Sequence, residues 1–106
     1  MEFRVEPKAD SPRDFDLIGE LDLASSPALL EAVMPAARDA GDLRLDLKEL
    51  SFIDSSGIRA FLILAEELGK RGRLILGSPS PTVENTLRLV GIQRADNIEV
   101  GDLPGS

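Results

Sequence analysis

The chain has 106 residues, a formal charge of -7, and neither His nor Cys. These figures exclude imidazole-dependent hydrolysis, His or Cys metal centres, disulfides and thiol chemistry, and they argue against nucleic-acid binding, because phosphates need a basic face. With 42% hydrophobic and 29% charged residues, the chain has the composition of an ordinary globular domain with one modest core.

Phe3-Arg4-Val5-Glu6 alternates with period two and stops at Pro7, which predicts a short strand. Ala9 to Pro12 reads as a turn, and Arg13 to Gly19 as a second strand that pairs with the first as a hairpin. Ser26-Pro27 predicts a helix start, with Ser26 as the cap and Pro27 in the first position, where no N–H is needed. Leu29, Leu30, Val33, Met34 and Ala37 then repeat at helical spacing. Pro35 removes a hydrogen bond inside that pattern and predicts a kink or an early end. Leu43, Leu45 and Leu47 alternate with Arg44, Asp46 and Lys48, a strand with one wet face, so the helices belong mainly on the other side of the sheet.

Leu50 to Asp54 leads into a second helix, about Ser55 to Arg71, whose Ile58, Phe61, Leu62, Leu64, Ala65 and Leu68 form one stripe. Gly72 reads as its C-cap. Leu74-Ile75-Leu76 is a short buried strand. Ser80-Pro81 opens a third helix that buries Val83, Leu87 and Val90 and ends at Gly91, and Asn97 to Val100 makes a last short strand. The order is that of a small α/β domain, expected over residues 1–100 with a short loose tail over 101–106.

The most informative segment is Asp54-Ser55-Ser56-Gly57. It places a hydroxyl where a strand gives way to a helix N-terminus, whose dipole favours an anion. A phosphate on Ser55 would add about -1.5 to -2 charges there. Gly57 has no side chain and is expected to keep the surface open, so that its replacement weakens binding more than folding. Asp and Ser before an apolar run also serve as plain helix caps. Gly19-Glu20-Leu21-Asp22 ends a strand on the same edge, which would set Glu20, Asp22 and Asp54 as an acidic rim around Ser55, though acids in loops are also ordinary solvated surface. Ile63 falls on the polar face near Ser56, Arg59 and Glu67, either a lone exposed isoleucine or a partner contact. A receiver-type Mg²⁺ site lacks its acidic pair and its lysine, and a serine hydrolase lacks a base, since Lys70 lies four turns along the helix.

Leu17-Ile18-Gly19-Glu20-Leu21-Asp22, Leu45-Asp46-Leu47, Leu50 through Ile58, Gly72-Arg73-Leu74 and Leu87 through Ile92, in this order, resemble the STAS domain family. Within it, the chain looks like the stand-alone bacterial anti-sigma-factor antagonists from about Phe3 to Glu99. The resemblance implies a small mixed sheet of four to five strands with three main helices packed largely on one face. It implies a cytoplasmic, non-catalytic switch without cofactor or metal, present as a monomer or weak dimer. Unphosphorylated, such a protein binds an anti-sigma factor with serine kinase activity and so frees a sigma factor; phosphorylation ends the contact, and a serine phosphatase restores it. It touches neither nucleic acid nor the membrane. Ser55 matches the phosphoacceptor. The contact surface is expected at the Gly19–Asp22 edge, with Glu20 and Asp22, and at the start of the second helix, with Asp54, Ser56, Gly57, Arg59 and Ile63. Pro35 and the Arg59-Ala60 pair depart from the family pattern. The alternative is an accessory subunit of another machine, such as a lipid-transport ABC complex, which would bind an ATPase without a phosphorylated serine.

Overall fold

Phe15, Leu17, Gly19 and Leu21 alternate with partly exposed Asp14, Asp16, Ile18 and Glu20, so one face of this segment is buried. In the computed structural model, which describes residues 2–101, it forms β2 (Asp14–Leu21), antiparallel to β1 (Arg4–Pro7) as the expected hairpin. Then follow α1 (Ser26–Ala37), β3 (Leu43–Ile53), α2 (Ser55–Leu68), β4 (Leu74–Gly77), α3 (Pro81–Leu89) and β5 (Ile98–Gly101). The strands stand in chain order, with β2 to β5 mutually parallel. Gly101, expected in the tail, is the last residue of β5; the rest of that tail, 102–106, lies outside the described residues.

The rows Phe15–Leu45–Leu76–Val100 and Leu43–Leu74–Ile98 run across the sheet in register. They join Leu29 and Val33 of α1, Phe61 and Leu64 of α2, and Val83 and Leu87 of α3 in one core. The row behind, Asp14–Arg44–Ile75–Glu99, belongs to the polar face, where Arg44 pairs with Asp14. The helices therefore cover one side of a five-stranded mixed sheet, as the wet face of β3 requires.

Several local expectations need correction. The chain from Leu43 to Ile53 is one strand, not a strand followed by a connector. Two bulges insert an extra β3 residue opposite β2, so burial passes from Leu47 to Leu50 to Ile53 in steps of three. That shift hides the strand from a period-two reading. The first helix is capped by Ser25, whose carbonyl accepts the Ala28 N–H at 3.0 Å; Ser26 is already helical and its hydroxyl donates to Asp22 O at 2.6 Å. The second helix ends at Leu68, and Gly69, at φ +56°, is the C-cap in place of Gly72. Gly72 is extended, and a side chain on it would run into the Gly41 carbonyl. Leu62 is 43% exposed and Val90 52%, outside the core in which both were placed.

Pro35 does not end α1, which continues to Ala37 with Arg38 N–H bonding Met34 O at 3.1 Å. The carbonyl that loses its donor belongs to Glu31, and both residues are exposed, so water can satisfy it. The helix end is held by a residue far off in sequence. The Arg13 guanidinium donates to Ala36 O (2.8 Å), Asp39 O (3.2 Å), Gly41 O (2.8 Å) and Asp42 O (2.9 Å). Arg71 adds bonds to Arg38 O and Ala37 O. Charged donors to carbonyls are worth about 1.5–3 kcal/mol. Arg13→Ala should therefore lower stability by about 2 kcal/mol in urea unfolding, and Arg13→Lys should recover little, because only the planar fork reaches several acceptors. Full recovery by lysine would contradict this.

Asp46 belongs to the wet face yet is only 2% exposed. Lys8 Nζ and Lys48 Nζ donate to its Oδ2 at 2.9 and 3.0 Å, and Lys48 N–H to its Oδ1 at 3.1 Å. Burial pushes the carboxyl up, but these hydrogen bonds outweigh it and hold its pKa below the ordinary 3.8. A carboxyl lowered on folding contributes stability above its unfolded pKa and loses it as pH falls through the folded value. Stability should therefore drop as acid titration passes below about pH 4, and Asp46→Asn should flatten part of that drop. Urea midpoints at neutral pH and near pH 3 test this; equal losses in both proteins would contradict it.

Candidate functional site

The parallel pairing of β2 with β3 brings their carboxyl ends together, with Leu21 opposite Ile53 and Asp54 N–H donating to Leu21 O at 3.2 Å. The loop from β2 into α1 and the junction from β3 into α2 thus lie side by side. This places the two sequence-predicted segments at one end of the sheet.

At the second junction Asp54 is the N-cap of α2. Its backbone is extended, and its Oδ1 accepts the N–H groups of Ser56 at 2.8 Å and Gly57 at 3.3 Å. Its carbonyl accepts Ile58 N–H at 3.1 Å. Ser55 is the first helical residue. It is exposed, and its hydroxyl has no hydrogen-bond partner among the described residues. The capping role open to either residue in the sequence is taken by Asp54 alone, which leaves the Ser55 hydroxyl free for chemistry.

Gly57 does not lie on the surface. It is buried, and a Cβ there would stand 2.7 Å from Ile53 Cγ1, 2.8 Å from Leu21 Cγ and 2.9 Å from Leu21 Cδ2. Its lack of a side chain lets the first turn of α2 rest on the ends of β2 and β3. The expectation of an open contact surface at Gly57 is therefore corrected: the residue is structural.

Asp22 also turns inward. Its Oδ1 accepts the N–H groups of Ala24 and Ser25, both at 3.0 Å, and lies 3.0 Å from Ser25 Oγ, which itself accepts Asp22 N–H at 2.9 Å. The Ser25 N–H, then its hydroxyl, hold the Asp22 carboxyl below the usual carboxylate range. Asp22 closes the loop before α1, and its carboxylate is engaged in that loop. Glu20, opposite Phe52 at the end of β2, lines an open groove of about 370 Å³ together with Glu2, Phe3, Asp22 and Ser25.

Ser56, Arg59 and Ile63 line a second groove, of about 320 Å³, between α1 and α2. Its other wall is Leu23, Ser26, Pro27 and Leu30. Ile63 is half-buried there and is not the exposed outlier the helical pattern suggests; the exposed position is Leu62 on the opposite flank. The periodicity of one helix cannot reveal which flank a second helix covers. Leu23, at 77% exposure, is the apolar feature that sequence reasoning missed. Its signal was a leucine outside the stripe of α1, directly after Asp22. The predicted residues therefore divide. Glu20 and Asp22 share one groove, Ser56, Arg59 and Ile63 the other, Asp54 and Ser55 line neither, and Gly57 lies beneath.

Among the described residues no helix is long and apolar enough to cross a membrane, and no group of three or more carboxylates could hold a metal ion. The STAS domain model matches residues 5–100. The anti-sigma-B factor antagonist of Bacillus subtilis is 37% identical over 57 residues, 54% of this chain and 52% of that protein, so the match spans about half the relative's length. The structure of the anti-sigma factor antagonist SpoIIAA in its unphosphorylated form superposes with a TM-score of 0.69 at 24% identity, covering 93% of this chain and 87% of that one. An anti-sigma factor antagonist from Mycobacterium paratuberculosis gives 0.74 at 24% identity, covering 92% and 83%. The order and register of the strands, the one-sided helices and a family match over nearly the whole length lead to one assignment: the chain belongs to the STAS domain family.

Proposed function

We propose that this chain is an anti-sigma-factor antagonist, a regulatory binding protein, and that Ser55 is the phosphoacceptor that switches it. The observation that carries the reading is the division of labour at the start of α2: Asp54 makes the cap, and the neighbouring hydroxyl is exposed and unengaged. The name of the Bacillus subtilis relative supports the same reading.

The unphosphorylated face, with the start of α2 and the edge at Glu20 and Asp22, binds an anti-sigma factor that is also a serine kinase. Transfer of the ATP γ-phosphoryl group to Ser55 Oγ adds close to two negative charges beside Asp54. The fold has little reason to respond, since charge at a helix end changes stability by only ~0.3–2 kcal/mol. The interface does respond, because it must desolvate that charge. A serine phosphatase restores the binding face. Phosphopeptide mapping of the protein recovered from its own cells tests the assignment. Phosphate on Ser55, lost in Ser55→Ala, is expected; phosphate confined to Ser56, or none under any growth condition, would overturn it.

A further inference from the structure

The phosphate proposed at Ser55 would have few backbone donors open to it. In the first turn of α2 the Ser56 and Gly57 N–H groups are already held by the Asp54 carboxylate, and Ile58 N–H by the Asp54 carbonyl. Asp54 itself repels a second anion. A countercharge must come from a side chain.

Arg59 stands four residues after Ser55, one turn on and on the same face of the helix. It is exposed, and among the described residues its guanidinium makes no ion pair and no side-chain hydrogen bond. The other α2 residues three or four positions from it are Ser56, Leu62 and Ile63, none of them acidic. The α1 residues across the groove, Leu23, Ser26, Pro27 and Leu30, carry no charge either. An unpaired arginine one turn from an unengaged serine, with no carboxylate competing on either wall, is arranged to receive an anion on that serine.

We infer that Arg59 is the internal counterion of phosphorylated Ser55, closing an ion pair across the first turn of α2 when the phosphate is present. The inference rests on Ser55 as the phosphoacceptor. Guanidinium and phosphate pair through parallel N–H···O bonds, which are stronger than neutral hydrogen bonds. The pair acts on the switch in two ways. It holds the phosphate against the helix, and it withdraws Arg59 from the face offered to a partner. Phosphorylation then changes the surface at two positions, adding charge at Ser55 and masking charge at Arg59.

The test uses the full chain with phosphoserine installed genetically at position 55, so that it is independent of any kinase. Whether cells phosphorylate Ser55 is decided separately by the mapping above. Six proteins are compared: Arg59, Arg59→Gln and Arg59→Lys, each with and without the phosphate. With Arg59 present, the phosphate should raise the folding equilibrium constant by about 1.5- to fivefold relative to the Arg59→Gln background at low salt, and the difference should shrink as salt rises. The Arg59 Nε–H resonance should shift and exchange more slowly in the phosphorylated protein. Arg59→Lys should keep part of the stability difference, since it keeps the charge without the fork. An unchanged Arg59 Nε–H resonance, together with the same effect of phosphate on stability in both backgrounds, would overturn the inference.

Discussion

Ser55→Asp should weaken binding to the proposed anti-sigma partner by roughly 30- to 4,000-fold while leaving the melting temperature within a few degrees of wild type. The two halves of the expectation have different causes. Ser55 is exposed at the first helical position and its hydroxyl bonds to nothing among the described residues, so its replacement removes no contact within the fold. A carboxylate in the first turn is favourable by ~0.3–1 kcal/mol, and Asp54 beside it offsets part of that. In an interface, an unpaired buried charge costs ~2–5 kcal/mol, and each ~1.4 kcal/mol is tenfold in affinity. Ser55→Ala adds no charge and should bind like wild type. Calorimetric titration with the purified partner reads the first half and thermal unfolding the second. Tight binding by Ser55→Asp, or an equal loss in Ser55→Ala, would mean that Ser55 is no electrostatic switch.

Gly57→Val should destabilise the fold by about 2–3 kcal/mol. An added Cβ meets Ile53 and Leu21 at 2.7–2.9 Å, and Leu21 Cγ is a branch point held in the core, not the free end of a flexible chain. Two further methyl groups would enter the same space. The first turn of α2 would have to lift off β2 and β3, disturbing the Asp54 cap and the seating of Ser55. At about 4–8 °C per kcal/mol for a domain of this size, the melting temperature should fall by roughly 10–20 °C. Gly57→Ala should fall less, because alanine gains helix propensity of up to ~1 kcal/mol over glycine. Melting curves of the two variants check the order. A Val variant that melts like wild type would mean that the end of the sheet yields freely, and Gly57 would return to the surface role its sequence context suggests.

Much of the architecture was legible because single residues announced it. Pro7 and the alternation before it mark the first strand, Ser80-Pro81 and Gly91 bracket the third helix, and Leu43-Arg44-Leu45-Asp46 shows which face of the sheet is wet. What stayed hidden depends on residues distant in sequence. The helical end at Ala37 is held by Arg13 and Arg71, which nothing near Pro35 reveals. The β3 bulges become visible only against β2. Burial of Asp46 requires Lys8 from the hairpin turn as well as Lys48. At the site, the spacing of Asp54 and Ser55 is local and could be read directly. Gly57 could not, because the atoms that exclude a side chain there come from Leu21 in another strand. Ile63 and Leu62 exchanged roles for a similar reason: α1 covers one flank of α2, and only the packing says which.

The proposed partner switch is thrown at Ser55. The most direct test is affinity capture from the lysate of the native cell with wild type, Ser55→Ala and Ser55→Asp as baits, and identification of the bound proteins by mass spectrometry. Wild type and Ser55→Ala should recover a small ATP-binding serine kinase, and Ser55→Asp should not. Recovery of one and the same partner by all three baits would contradict it.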